Sequence, residues 1–179
     1  MIKRKFVFAH LEAAKVYAQL SSCVRRKVGA LLVKGGTPIA IGYNGTRPGE
    51  CNCCEDENGN TKPGVRHAEI NALNKLWGSR ETAKEAVLFV TDSPCPDCMD
   101  DLFNAGVRDV FYLREYRLMD HMLKYVQQGC NFYHVDLDTK IICRWYSEQI
   151  FREIILLPKY KLVKRVYSDE LIATTSLQV

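Results

Sequence analysis

Pro94-Cys95-Pro96-Asp97-Cys98 is the stretch that most constrains this chain. An apolar run, Val87 to Val90, leads into it and a helical pattern follows it. The segment reads as a strand, a turn and a helix start, with two cysteines at the turn. A helix N-terminus favours thiolates, because its free N–H groups and its dipole stabilise negative charge. Two thiolates at this spacing suit one tetrahedral zinc. A further ligand lies upstream, where His67-Ala68-Glu69 heads another amphipathic helix. One His and two Cys make three protein ligands and leave a fourth position for water. That is the catalytic arrangement of zinc and not the closed structural one. Glu69, two residues beyond His67, stands close to the metal and is free to move protons. A lone C-x-x-C also reads as a redox pair or as half a zinc finger. A redox pair does not account for the His-x-Glu upstream. A finger needs a downstream pair of ligands, and His121 and His134 are too far apart to supply it.

A chain of 179 residues is one domain with room for an appendage. An apolar fraction of 47% is ordinary for a full core. The net charge of +4 is too small to argue for nucleic acid by itself. Lys3, Arg4 and Lys5 open the chain, but His10, Glu12 and Lys15 break the apolar run after them. No signal peptide or membrane span is expected, and the eight cysteines are read as reduced thiols in a cytoplasmic protein.

Taken in order, residues 5 to 21 predict a helix with Phe6, Phe8, Leu11, Ala14, Ala18 and Leu20 on its apolar face. Val28 to Val33 and Ile39 to Gly42 are strands joined by a Gly35-Gly36 hairpin turn. Residues 47 to 66 are a long loop, of the length that is usually functional or disordered. Helices follow at His67 to Trp77, Cys95 to Ala105 and Tyr116 to Gln128. Strands follow at Ala86 to Thr91, Val107 to Leu113 and Phe132 to Leu137. Alternation from the third strand onward argues parallel pairing after an antiparallel start. The expected fold is α/β, with a mixed five-stranded sheet between helices. Residues 138 to 179 carry a modest excess of Lys and Arg over Asp and Glu. They read as an extension packed on the core or at a subunit interface: a helix from Glu148 to Leu157, then a solvated or weakly stranded tail.

H-x-E followed by P-C-x-x-C resembles the zinc-dependent nucleobase deaminases. Within that class the chain resembles the deoxycytidylate (dCMP) deaminases, cellular and bacteriophage, from about residue 10 to residue 137. The likeness rests on five blocks: Lys27 to Ala30, Gly42-Tyr43-Asn44-Gly45, His67 to Ala72, Ser93 to Cys98, and Ala105-Gly106-Val107. Gly-Tyr-Asn-Gly in company with the others is the specific part. The resemblance implies a cytidine-deaminase-like three-layer sandwich for residues 1–137. It implies hydrolytic deamination of dCMP to dUMP, which supplies thymidylate synthesis, with zinc on His67, Cys95 and Cys98 and Glu69 as the proton carrier. It places Asn44 on the deoxyribose 3′-hydroxyl, and Arg26, Tyr116 and Arg117 at the 5′-phosphate.

The resemblance further implies a homohexamer in which dCTP, carried with Mg2+, activates and dTTP inhibits. Gly42, Tyr43, Asn44 and Gly45 would then contribute to the effector site, the glycines letting phosphate approach the backbone. Phage relatives carry a second zinc near the long loop. Here Cys23, Cys51, Cys53 and Cys54 either hold such a zinc or are ordinary buried and loop thiols, since Val65 stands where a ligand would be needed. Other substrates within the class are dCTP, free cytidine or a polynucleotide. A polynucleotide would want a basic groove with aromatic platforms, at which Tyr160, Lys161, Lys164, Arg165 and Tyr167 hint weakly.

Overall fold

The alternation of β-branched runs with amphipathic ones builds a single sheet with helices on both faces. A computed structural model describes residues 2–116, 121–147 and 162–166. The helices are α1 (Arg4–Ala18), α2 (Ala68–Asn74), α3 (Pro96–Asn104) and α4 (Met122–Gln127). The strands are β1 (Gly29–Lys34), β2 (Thr37–Tyr43), β3 (Val87–Asp92), β4 (Asp109–Arg114), β5 (Asn131–Asp136), β6 (Ile141–Ser147) and β7 (Leu162–Val166). Among the described residues they form one sheet in the order β2-β1-β3-β4-β5-β6-β7. The pairs β3–β4 and β4–β5 are parallel, and the other neighbours are antiparallel.

Strand alternation divides the core in two. Leu31, Val33, Phe89, Phe111 and Tyr133 face α1, where Val7, Leu11 and Ala14 meet them. Leu32, Leu88, Val90, Val110, Tyr112 and Phe132 face the other way, onto Ala68 and Ala72 of α2, Met99 and Leu102 of α3, and Met122 and Tyr125 of α4. These are the three layers that the resemblance implies. Two glycines let the layers touch. A Cβ on Gly29 would stand 2.1 Å from the Ala14 carbonyl oxygen of α1, and one on Gly42 would stand 2.0 Å from the Ala68 carbonyl oxygen of α2. The hairpin turn takes positive φ at Gly35 and Gly36, as the sequence predicts.

Among the described residues the sheet has seven strands where five are expected. Asp136 Oδ1 accepts the N–H groups of Asp138 and Thr139, and Lys140 takes a positive φ, so the chain turns back after β5 into β6. β7 then pairs with β6 in the stretch expected to be at most weakly stranded. The helix expected at Glu148 to Leu157 lies outside the described residues. The face of α1 also differs. Val7, His10, Leu11, Ala14 and Ala18 are buried, whereas Phe6 is 45% exposed and Leu20 lies beyond the helix end. Leu11, Ala14 and Ala18 of the expected face are buried and Phe8 packs partly against the core, but the stripe starts at Val7 and Phe6 falls off it. α2 is shorter than expected, and Trp77 is exposed.

Candidate active site

Two helix starts meet at the site. Cys95 is the N-cap of α3, with Pro96 supplying the first helical residue, whose missing N–H costs nothing there. His67 is the N-cap of α2, and Glu69 sits in its first turn. His67 Nδ1 lies 3.2 Å from Cys98 Sγ and 3.4 Å from Cys95 Sγ. The three donor atoms all lie within 4.8 Å of one another, and among the described residues this is the one such cluster of three or more. One imidazole nitrogen and two sulfurs converging from helix N-termini fit zinc by softness and by number. His121 Nε2 lies 3.0 Å from the Pro94 carbonyl oxygen and braces the turn that carries Cys95.

The electrostatics of the cluster agree with its geometry. The Cys95 thiol is lowered to about 4, first by its hydrogen bond with Cys98 and then by His67, against the effect of burial. The Cys98 thiol is pushed up, first by the same hydrogen bond and then by burial. His67 is raised, chiefly by its hydrogen bond with Cys95. Without metal, then, the three donors hold protons among them through these mutual hydrogen bonds. Metal must displace those protons. Adding zinc to metal-free protein in weak buffer is expected to release protons, and zinc affinity is expected to fall as pH is lowered. Indicator absorbance during a zinc titration measures both. Binding without proton release, at an affinity independent of pH, would contradict this protonation pattern.

Glu69 is 4% exposed. Burial is the first cause of its carboxyl being raised to about 7, and Cys95 and Asp92 add to it while His67 opposes it. A divalent cation beside it pulls the other way, toward the carboxylate.

The cleft above Glu69 has Arg25, Arg26, Asn44, Val65, Asp92 and Tyr116 among its walls. Arg26, Asn44 and Tyr116 therefore share one cleft with His67, Glu69 and Cys95. Arg117 lies outside the described residues. Asn44 is a clamp: its Oδ1 accepts the Val28 N–H at 2.8 Å and its Nδ2 donates to the Arg26 carbonyl at 2.8 Å. Arg26 stacks over the Tyr116 ring at 4.7 Å. The Tyr116 N–H donates to Ser93 Oγ at 2.8 Å. The long loop forms the rim of the cleft, where the Glu55 carboxylate accepts the N–H groups of Val24 and Arg25.

Other expected sites are placed differently. Gly42 is buried beneath α2, so its missing side chain admits a helix there. Tyr43 lies under the Lys75 ammonium, and Gly45 exchanges backbone hydrogen bonds with Arg66. Of these four residues only Asn44 lines the cleft. Among the described residues the four loop-associated cysteines do not gather into one metal cluster. Cys23 and Cys54 are joined by a disulfide, with Cα atoms 5.0 Å apart. Cys51 and Cys53 are exposed and free. The expectation of reduced thiols throughout is corrected for Cys23 and Cys54, because the loop folds back against the segment after α1. Asp92 and Arg114 are the residues that sequence reasoning misses. Their one signal is a charged residue closing the apolar run of β3.

The family model for the cytidine and deoxycytidylate deaminase zinc-binding region matches residues 4–114. The chain belongs to this family. The deaminase match takes in His67, Glu69, Cys95 and Cys98, so the convergent donors lie in a zinc-binding region. The deoxycytidylate deaminase of Schizosaccharomyces pombe is 33% identical over 128 residues, covering 65% of this chain and 39% of that protein. This deaminase-family chain thus spans well under half the length of the fission-yeast relative. The deoxycytidylate deaminase of Mycobacterium phage D29 is 36% identical over 119 residues, covering 59% of this chain and 91% of that one. The structure of a dCMP deaminase from cyanophage S-TIM5, in complex with dCMP and dUMP, matches with a TM-score of 0.70 and 44% identity. It covers 74% of this chain and 98% of the cyanophage chain. No helix among the described residues is long and apolar enough to cross a membrane.

Proposed function

We propose that this chain is a zinc-dependent dCMP deaminase, converting dCMP and water to dUMP and ammonia. One observation carries the reading. A buried Glu69 lies beside His67, Cys95 and Cys98 at the floor of a cleft that also holds Arg26, Asn44 and Tyr116. The phage and fission-yeast relatives and the cyanophage structure support the same substrate.

His67 Nδ1, Cys95 Sγ and Cys98 Sγ would hold zinc, which when bound lowers the pKa of a water. Glu69 accepts a proton from the water that adds to C4 of the cytosine ring and passes a proton to N3. It then takes the remaining proton of that water from the new C4 hydroxyl and delivers it to the amine, which leaves as ammonia as the C4 carbonyl forms. Burial keeps bulk water from competing for that carboxylate. Arg26 offers a planar fork to the 5′-phosphate, beside Tyr116 and Arg117. Asn44 seats Arg26 through its backbone and retains one amide N–H and one lone pair for the sugar hydroxyl.

The proposal extends to a homohexamer activated by dCTP with Mg2+ and inhibited by dTTP, located in the cytoplasm (that of the host for a viral protein). Similarity to dCMP deaminases supports these finer points. Residues 1–137 are the deaminase domain, and 138–179 are an extension whose β6 and β7 lie on the sheet edge. The test is zinc-loaded protein with dCMP, CMP, deoxycytidine and dCTP in turn, followed by loss of cytosine absorbance with and without dTTP. Turnover of dCMP above the others is expected. Preference for deoxycytidine or dCTP would overturn the substrate, and rates unmoved by dTTP and dCTP would remove the regulation.

A further inference from the structure

Asp92 is 3% exposed and is the last residue of β3, next to the turn that carries Cys95. A buried carboxylate needs partners, and Asp92 has three. Its Oδ1 accepts from Arg26 Nη1 at 2.8 Å. Its Oδ2 accepts from Arg114 Nη2 at 2.7 Å and from Thr91 Oγ1 at 2.9 Å. Thr91 Oγ1 itself accepts the Gly29 N–H at 3.3 Å, which ties the group to β1. The parallel register of β3 and β4 sets Asp92 opposite Arg114, so sheet pairing holds this ion pair in place.

The two arginines serve different spaces. Arg26 lines the cleft that holds Glu69, whereas Arg114 lines a separate groove with Lys15 and Lys27. One carboxylate between two guanidiniums leaves an excess of one positive charge. Were Arg114 missing, Asp92 would cancel Arg26 and repel an incoming phosphate. With Arg114 present, Asp92 takes one edge of the Arg26 fork and fixes its direction. The other donors of Arg26 belong to a side chain that is still 43% exposed.

We infer that Asp92 is a positioning residue and Arg114 its charge balance, and that together they set the selectivity of the cleft for a 5′-monophosphate over the bare nucleoside. The inference rests on the reading of this cleft as a nucleotide site. Arg114 does not touch substrate; it acts through Asp92 on Arg26.

The test is the ratio of kcat/KM for dCMP to kcat/KM for deoxycytidine in the zinc-loaded wild type and in Asp92→Asn, Arg114→Gln and Arg114→Lys. Asp92→Asn and Arg114→Gln are expected to lower that ratio about tenfold or more, through KM for dCMP, as loss of a charge-assisted contact would. Arg114→Lys keeps the charge and is expected to hold the ratio within about threefold of wild type. Arg114 is 58% exposed, so its variants fold even where a change at the buried Asp92 does not. A merely structural role would depress both substrates alike and leave the ratio unchanged. That result in both Arg114→Gln and a folded Asp92→Asn overturns the inference while the nucleotide reading stands. A wild type that does not prefer dCMP to deoxycytidine overturns the nucleotide reading, and the inference with it.

Discussion

Glu69→Gln is expected to bind zinc at the wild-type level and to lose dCMP turnover by about 10²- to 10⁴-fold, the usual worth of a positioned general acid–base group. The amide matches the carboxylate in shape, and Glu69 is not in the donor cluster formed by His67, Cys95 and Cys98. Folding and metal content therefore have little reason to change. What disappears is the ability to take a proton from water and return it to the ring and the amine. Glu69 is 4% exposed, so solvent does not readily replace it. Zinc content by metal analysis beside kcat for dCMP decides the point. Wild-type kcat with zinc bound would remove Glu69 from the mechanism, and loss of zinc along with activity would make it a metal-site residue instead.

Gly42→Ala is expected to damage stability and activity together. The added Cβ would lie 2.0 Å from the Ala68 carbonyl oxygen and 2.5 Å from the Ala72 N. Both atoms are backbone of α2, so no flexible side chain can yield, and the helix must shift. Overpacking of this kind costs about 1–3 kcal/mol or more. α2 also carries Glu69 and is capped by His67, so the shift is transmitted to the reacting groups. Misplacement by about 1 Å is worth roughly 10²-fold in rate. Two controls separate the effects. Gly29→Ala presses on the Ala14 carbonyl of α1, on the opposite face, and should lower Tm with a smaller loss of kcat in the folded protein. Gly45→Ala meets nothing within 4 Å and should change little. A Gly42→Ala protein with wild-type Tm and kcat would contradict the close packing of β2 on α2.

The zinc site was legible because chemistry dictates residue types and spacing: His67, Glu69, Cys95 and Cys98 fall at two helix starts whatever surrounds them. Strands β1 to β5 were legible as apolar runs punctuated by glycines and turns. β6 was not, because Ile141 to Tyr146 continues toward the apolar stretch at Ile150 without a break that reads as a turn. The signal that marks it lies earlier, in the Asp136 side chain capping its own turn. The packing of Gly42 is not legible because it is tertiary: nothing local reveals that a helix backbone lies against it. The Cys23–Cys54 pair spans 31 residues of sequence, and only the folded loop brings the two together. The link from Asp92 to Arg114 depends on strand register, which a one-dimensional pattern does not contain.

The most direct measurement is product formation from dCMP as metal-free protein is loaded stepwise with zinc. The account predicts no activity without metal and a linear rise in rate that ends at one zinc per chain, with dUMP and ammonia appearing in equal amounts. A folded protein with one zinc per chain that leaves dCMP unchanged would contradict it.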